Sequence, residues 1–481
     1  MLGVRRAASQ EEIRRAYLKA VQRLHPDKNV NPGDTELFLG VQQAYEILGD
    51  PQRRAKYDLT LPPLPETPPA QIQLRIDYSR TNLPTLAEPQ LVYALLACLP
   101  AAQLGDNPAP PLNLCLLLDV STSMQGPKLE TVKETAIQLL RRLRPQDVFS
   151  LVAFSDRAQV HISASRGADA RRAEAKVNML QVSGGTEIFH GLEAAVQEAH
   201  RFLDPASINH IILLTDGQTY GDEQQCFALA ESALADGICI SGLGIGNEWN
   251  DIFLDALARR AGGSCMYVSD PRDIPRLLMA KFEELGETFA SDVSLDFGLP
   301  DGATLTYAYR LQPDPSPLGV DSPLLMGSIQ HRAPLQVVLE FYLPPQDSRK
   351  GDIVLLEGQL SATIPSASPP EVHLPVRLER PLTAEADSAP PPPQLVHAMS
   401  RVTFYRMQER ARLEVQNGEF RKATERLKRL ATHLLSQGEQ GLARTILLEV
   451  DHIEQTNSFS ERGEKDLKFG TRGLYLPEEP K

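Results

Sequence analysis

The stretch that most constrains the fold runs from Asn113 to Met124 and reads NLCLLLDVSTSM. Its apolar residues follow one another without alternation, which predicts a strand buried on both faces, as in a parallel sheet. The run ends at Asp119, and Ser121 and Ser123 follow at once. Open α/β sheets bind ligands beyond the carboxyl ends of their strands. One carboxylate and two hydroxyls at such an end therefore predict a site for a small divalent cation.

The residues around this stretch indicate two kinds of β structure. Between residues 112 and 285, apolar strands alternate with amphipathic helices, which predicts right-handed βαβ units and a doubly wound, Rossmann-like α/β domain with a parallel core. Before and after that region the apolar period changes to two, as in Ile72, Leu74 and Ile76. Alternating segments of this kind predict a β-sandwich. We therefore expect a multidomain chain in which the α/β domain is inserted in the sandwich.

Composition and periodicity divide the 481 residues into eight segments. The predicted segments are a small all-α unit at 1–58, a proline-rich linker at 59–70, sandwich strands at 71–110, the α/β domain at 111–285, the rest of the β-sandwich at 286–380, a second proline-rich linker at 381–394, a helical region at 395–457 and a tail at 458–481. Breaks at Gly418 and Gly438 predict a helical hairpin in the C-terminal region. The polar tail is predicted to be mobile.

Charge and hydropathy argue against several classes of protein. A formal net charge of −13 does not suit a general nucleic-acid binder, which needs basic surface to neutralise phosphates. The longest apolar run is shorter than the roughly 20 residues that a membrane-spanning helix needs, and no signal peptide is visible. The five scattered cysteines include no C-x-x-C pair, which favours free thiols in a reducing compartment. We therefore expect a cytoplasmic protein without a nucleic-acid partner or a membrane span.

The segments LGV, EEIRRAYLKAVQRLHPDKN and QQAYEILGDPQRRAKYD within residues 1–58 resemble the J-domain of DnaJ-type co-chaperones. In that family, a loop tripeptide HPD and the basic face of the preceding helix engage a DnaK-type chaperone and stimulate its ATPase. The resemblance assigns this chaperone-binding role to His25, Pro26, Asp27, Arg14, Arg15, Lys19 and Arg23. The family pattern has a short helix before LGV, whereas this chain starts at Met1. Either the domain is truncated at its N-terminus or the start site lies upstream.

Two further segments bring oxygen ligands to the predicted end of the α/β sheet. Ser183-Gly184-Gly185-Thr186 is a glycine turn that presents a hydroxyl, and Asp216 ends the apolar strand IILLT. Because Mg²⁺ takes oxygen ligands in near-octahedral geometry and usually keeps waters, two carboxylates and a few hydroxyls leave a position that an acid of a partner could fill.

This set resembles the metal-ion-dependent adhesion site of von Willebrand factor type A domains, whose motif is D-x-S-x-S, then T, then D. The resemblance implies that the metal ligands are Asp119, Ser121, Ser123, Thr186 and Asp216. It implies Mg²⁺ as the cation, with Ca²⁺ or Mn²⁺ as alternatives, and an unknown protein ligand that offers an acidic side chain. Each piece also has an ordinary explanation, since the serines could cap the next helix and Asp216-Gly217 could be a simple turn.

Together these features predict a non-enzymatic, metal-dependent protein-binding protein. It would act as a specialised co-chaperone that recruits a DnaK-type ATPase to a client held by the type A domain, and the linkers would raise the effective concentration of one module near the other. One alternative is a type A scaffold with a vestigial J-domain. The other is a metal-dependent hydrolase. The sequence lacks a G-x-S-x-G elbow, a Walker loop and H-E-x-x-H, and Ser121 stands where aspartyl-phosphate phosphatases of this fold class carry a second aspartate.

Overall fold

The computed structural model describes residues 10–24, 32–60, 71–101, 109–167, 169–218, 221–346, 351–384 and 389–474. The chain forms two compact units, which divide after Ala70. Each unit is described by itself below.

The first unit is helical, as the sequence predicts. Its helices are α1 (Gln10–Leu24), α2 (Pro32–Leu48) and α3 (Pro51–Thr60). Helices α1 and α2 pack through buried Ile13 and Val41, and the rings of Tyr17 and Tyr45 stack with centroids 4.0 Å apart. The Asp50 carboxylate accepts hydrogen bonds from two backbone N–H groups at the start of α3 and caps that helix.

The second unit contains the remaining strands and helices. Its strands are β1 (Ile72–Tyr78), β2 (Leu83–Pro84), β3 (Gln90–Pro100), β4 (Leu112–Asp119), β5 (Val148–Phe154), β6 (Ala158–Arg166), β7 (Ile208–Thr215), β8 (Ile238–Ile245), β9 (Gly262–Val268), β10 (Thr288–Gly298), β11 (Thr304–Gln312), β12 (Ser316–Pro317), β13 (Leu324–Gln330), β14 (Leu335–Leu343), β15 (Gly351–Thr363) and β16 (Glu371–Thr383). Its helices are α4 (Pro127–Arg142), α5 (Ala170–Asn178), α6 (Ile188–His200), α7 (Glu223–Ala235), α8 (Asp251–Arg260), α9 (Ile274–Gly286), α10 (Pro393–Gln416), α11 (Phe420–Ser436), α12 (Gln440–Thr456) and α13 (Glu461–Gly473).

The β-sandwich is built from strands that precede and follow the α/β domain. One sheet has the order β1-β3-β14-β11-β12, and the other has the order β13-β10-β15-β16-β2. The early strand β3 pairs antiparallel with the full length of the late strand β14, from Leu335 opposite Cys98 to Leu343 opposite Gln90. The predicted insertion of the α/β domain in a sandwich is therefore confirmed.

The α/β domain has a six-stranded sheet of order β6-β5-β4-β7-β8-β9. Its pairs are parallel except β5 with β6, which is antiparallel. Strand β4 lies between β5 and β7. The strands that follow it in the chain are therefore added first on one side of β4 and then on the other, which creates a topological switch point at its carboxyl end. The sequence predicts the parallel core, but edge strand β6 and helix α5 emerge only from the structure. Their buried apolar residues are few and mostly small, namely Ile162 and Ala164 in β6 and Ala173 and Val177 in α5, so the apolar signal in the sequence is weak there.

The C-terminal helices pack on both the sandwich and the α/β domain. Helix α10 places Leu395, Val402 and Tyr405 in a shared cluster with residues of the sandwich such as Tyr309. The mobile tail predicted over 458–481 is corrected, because α13 lies within it and its Lys468 and Arg472 are only 3% and 4% exposed. Their charges meet carboxylates of α8, so their polarity reflects buried ion pairs rather than contact with solvent.

Two general features complete the fold. The five cysteines are free thiols, and four of them are buried. Within the described ranges, no helix combines the length and the apolar character needed to cross a lipid bilayer.

Candidate metal centre

Three loops meet at the carboxyl ends of β4 and β7. The two strands are parallel neighbours with Leu118 opposite Leu214, so Asp119 lies beside the end of β7 and close to Asp216. The third loop, residues 183–187, is tied to the first by backbone hydrogen bonds. Ser183 N donates to Val120 O at 2.7 Å, and Thr122 N donates to Gly184 O at 3.3 Å.

Asp119 is completely buried. One carboxylate oxygen accepts a hydrogen bond from Ser121 N at 2.8 Å, and the other accepts one from the Thr215 hydroxyl at 2.6 Å. Burial raises the pKa of Asp119, and the hydrogen bonds from Thr215 and Ser121 only partly oppose that effect. The carboxylate is thus held by neutral donors in a place where its charge is costly, and a nearby cation would stabilise it.

The two serines and Asp216 form a chain of hydrogen-bonded oxygens. The hydroxyls of Ser121 and Ser123 lie 3.0 Å apart, and the Ser123 hydroxyl donates to Asp216 Oδ1 at 2.6 Å. The Ser121 side chain makes no capping hydrogen bond to the short 3₁₀ helix Thr122–Met124. The capping explanation therefore fails for Ser121, whose hydroxyl points to the oxygen cluster instead.

Glycines let the loop that carries Thr186 approach the other two. Gly184 has φ +65°, and a Cβ there would collide with the carboxylate of Asp156, which accepts a hydrogen bond from Gly185 N. A Cβ at Gly217 would lie 2.9 Å from Thr186 Oγ1. The Thr186 hydroxyl is therefore adjacent to the turn after Asp216, so all five predicted ligands lie at one edge of the sheet.

The chemistry of these donors fits a hard divalent cation. All five side chains offer oxygen only, and no group of three or more His, Cys, Asp or Glu side chains suited to a metal occurs in the described part of the chain. Adjacent ligands of an octahedral Mg²⁺ with bonds of 2.0–2.1 Å lie about 2.9 Å apart, close to the separation of the two serine hydroxyls. A nitrogen- and sulfur-seeking metal such as Zn²⁺ finds fewer suitable donors here.

Three residues that support this centre are not among the residues predicted from the sequence. Thr215 orients Asp119, Asp156 holds the glycine turn, and the Lys128 ammonium contacts Asp216 Oδ2 and lies 3.3 Å from Ser123 O. Lys128 supplies a positive charge to Asp216 from the first turn of α4. Thr215 could have been found as a hydroxyl that ends an apolar strand, whereas Lys128 and Asp156 carry no signal without the fold.

The predicted chaperone-binding residues belong to the first unit. Arg14, Arg15 and Lys19 are exposed on α1. The tripeptide of residues 25–27 and the side chain of Arg23 lie outside the described residues.

Three family models match the chain. A DnaJ domain matches residues 1–58, a von Willebrand factor type A domain matches residues 113–280, and a domain described as "Sll0103-like, C-terminal alpha-helical domain" matches residues 393–477. The last match includes α13, in agreement with its packed position.

Individual proteins match the same parts of the chain. An uncharacterized protein of Synechocystis, sll0103, is 35% identical over 186 residues, which are 38% of this chain and 44% of that protein. The chaperone protein DnaJ of Lactiplantibacillus plantarum is 53% identical over 58 residues, which are 12% of this chain and 15% of that protein. The chain therefore spans less than half the length of either relative.

One solved structure is similar in fold to most of the chain. The von Willebrand factor type A protein of Catenulispora acidiphila is similar in fold, with a TM-score of 0.64 and 18% identity over 83% of this chain and 96% of that one. At this identity the likeness concerns the fold alone. The two family models show that the chain joins a DnaJ domain, over residues 1–58, to a von Willebrand factor type A domain, over residues 113–280.

Proposed function

We propose that this protein binds a protein ligand through a divalent cation and recruits a DnaK-type chaperone to it. The observation that carries the proposal is the cluster of carboxylate and hydroxyl oxygens formed by Asp119, Ser121, Ser123 and Asp216, with Thr186 beside it. Both domains of the fusion are protein-interaction modules, which supports a role in binding rather than catalysis. A DnaK-type partner would place this activity in the cytoplasm.

The five oxygen ligands would hold Mg²⁺, or Ca²⁺ or Mn²⁺ in its place. When bound, the cation would supply a Lewis-acidic position that an acidic side chain of the ligand can occupy. The protein's own contribution is preorganisation, because Thr215 and the Ser121 backbone N–H orient Asp119 and the glycine turn brings Thr186 to the same edge. The affinity for a ligand would then depend on both the metal and a carboxylate.

The binding arm of the proposal is tested by a pull-down from host lysate with wild type and Asp119→Ala, each with Mg²⁺ and with chelator. We expect one protein to be retained by wild type with Mg²⁺ and lost in the other three lanes. Asp236→Ala is the matched control and should retain the same protein. It also removes a carboxylate, but Asp236 lies in the turn between α7 and the start of β8, whereas the candidate ligands lie at the carboxyl ends of the strands. Equal retention in all lanes would contradict binding through the cation.

The chaperone arm of the proposal is tested by the ATPase rate of a DnaK-type chaperone. Wild type is expected to stimulate hydrolysis, and His25→Gln is expected to abolish that stimulation. Lys56→Gln, which changes an exposed basic residue on α3, should stimulate as wild type does. An ATPase rate that wild type leaves unchanged would contradict recruitment and favour a type A scaffold with a vestigial J-domain.

A further inference from the structure

An open groove of about 880 Å³ begins at the candidate metal centre. It runs between the β5–β6 turn and the first residues of β6 on one side and the end of α5 with the loop after it on the other. Val120, which separates Asp119 from Ser121, lines its inner end together with Ser183. The Ser183 hydroxyl lies 3.1 Å from that of Ser155. This hydrogen bond links the loop that carries Ser183 to the end of β5 at the inner end of the groove.

The groove combines exposed apolar surface with positive charge. Met179 is 74% exposed and Val160 is 38% exposed, an arrangement that marks binding surfaces when the apolar side chains lie together. Arg157 and Lys176 are exposed along the same groove. Among the described residues neither takes part in an ion pair, in contrast to many other basic residues of this acidic chain.

Among the described residues that line the groove, Asp156 is the one carboxylate. Asp156 accepts the hydrogen bond from Gly185 N that shapes the glycine turn. His161, a half-buried residue of β6 that also lines the groove, adds no negative charge because an imidazole is either neutral or positive. The groove therefore presents an apolar strip flanked by two cations, and its charge is complementary to an acidic ligand.

The edge strand beside the groove suits an extended chain. Strand β6 is the edge of the six-stranded sheet, and in the described structure it pairs with β5 alone, with Val160 opposite Val152. An edge strand offers backbone donors and acceptors to an extended peptide. A folded partner could place a carboxylate at the metal centre, but only an extended segment would also fill the groove that leads from the centre along β6.

We propose that the ligand is an extended acidic peptide segment of the partner protein, which places one carboxylate at the metal centre and lays a large apolar residue and a second acidic residue along this groove. The inference rests on the proposed metal-dependent binding and deepens it by naming the class of ligand. Met179 and Val160 would contact the apolar residue, and Arg157 and Lys176 would attract the second acid. Specificity would then come from the groove, while the metal centre would supply the common anchor.

The test uses a displayed peptide library with one fixed aspartate and random flanking positions, selected on the full chain in Mg²⁺. Wild type is expected to enrich peptides that carry a large apolar residue and a second acid on one side of the fixed aspartate. The variant Arg157→Glu/Lys176→Glu is expected to lose that preference and to bind the selected peptides about tenfold or more weakly in fluorescence anisotropy, since two attractions become repulsions. Met179→Ser should remove the preference for the apolar residue.

Arg171→Glu is the matched control, because Arg171 is exposed on α5, the helix that carries Lys176, but does not line the groove. It should select and bind the same peptides as wild type, and both charge variants should retain the wild-type melting temperature. Mg²⁺-dependent binding without a flanking preference, or binding that Arg157→Glu/Lys176→Glu leaves unchanged, would overturn the groove proposal and leave metal-dependent binding standing. Absence of any Mg²⁺-dependent peptide would overturn the groove proposal, while the pull-down with wild type and Asp119→Ala decides separately whether a protein ligand binds through the cation. Tighter binding of a single-stranded oligonucleotide than of any peptide would identify a different class of ligand and overturn the groove proposal.

Discussion

Asp119→Asn is expected to abolish the stabilisation that Mg²⁺ gives to the wild-type chain. A cation that binds only the folded state at about 100 times its Kd stabilises that state by about 2.7 kcal/mol. The variant removes the charge of the most buried carboxylate of the centre and keeps its shape. Differential scanning calorimetry with Mg²⁺ and with chelator measures the effect, and isothermal titration calorimetry measures the loss of metal binding directly.

We expect Asp119→Asn to fold although it does not bind the cation. Asparagine keeps only one of the two oxygens that accept hydrogen bonds from Ser121 N and the Thr215 hydroxyl. Removing a charge that burial makes costly offsets that loss, so we expect little change in the stability of the chain without metal. Asp236→Asn serves as the control and should keep the full response to Mg²⁺, since Asp236 pairs with His200 rather than with the oxygen cluster. If Mg²⁺ stabilises Asp119→Asn as much as wild type, the cation binds elsewhere.

The largest loss of folding stability is expected from Asp255→Ala, at the contact between α8 and α13. Arg472 donates two hydrogen bonds to the Asp255 carboxylate, at 2.7 and 2.6 Å, and Lys468 lies 3.4 Å from it. Both cations are almost completely buried. Removing the carboxylate leaves them poorly compensated, which typically costs about 3–5 kcal/mol. Urea unfolding measures the loss in the free energy of unfolding. Limited proteolysis without urea reports whether α13 is released.

The same contact predicts a dependence on acid pH. Burial acts to raise the pKa of Asp255, but the charges of Arg472 and Lys468 outweigh it and hold that pKa well below the usual range. A carboxylate whose pKa is lowered on folding contributes stability above its unfolded pKa of about 3.9 and loses it as the pH falls further. Wild type should therefore lose stability below about pH 4, and Asp255→Ala should show a weaker loss.

Glu231→Ala is the matched control for the ion pair at α13. Its partner Arg260 is solvent-exposed, and exposed pairs contribute about 0–1 kcal/mol. The double variant Asp255→Ala/Arg472→Met should be less destabilised than the sum of the single variants, because it removes one of the cations left without a partner. A loss for Asp255→Ala no larger than that for Glu231→Ala would contradict a structural role for this contact.

Much of the architecture could be predicted because its signals are local. Strand β4 is a continuous apolar run since both of its faces are covered, and the alternation of strands with helices specifies parallel pairing. The motif from Asp119 to Ser123 is contiguous, and Asp216 follows directly after a buried strand. Because the carboxyl ends of neighbouring parallel strands meet at one sheet edge, the residue order alone is enough to place these side chains together.

The residues that could not be predicted act across long distances in sequence. Lys128 contacts Asp216, and Asp156 shapes the turn before Thr186. Charged residues of α13 form ion pairs with carboxylates of α8 that lie more than 200 positions earlier in the sequence. A charged residue has the same local signature on an exposed tail and in a buried ion pair, because burial depends on what packs against it. The sequence by itself predicted the two matched domains, the strand ends and the five candidate ligands, because these signals are local. The tertiary structure alone decided which charges are buried and how the groove beside the candidate metal centre is formed, because both depend on what packs together.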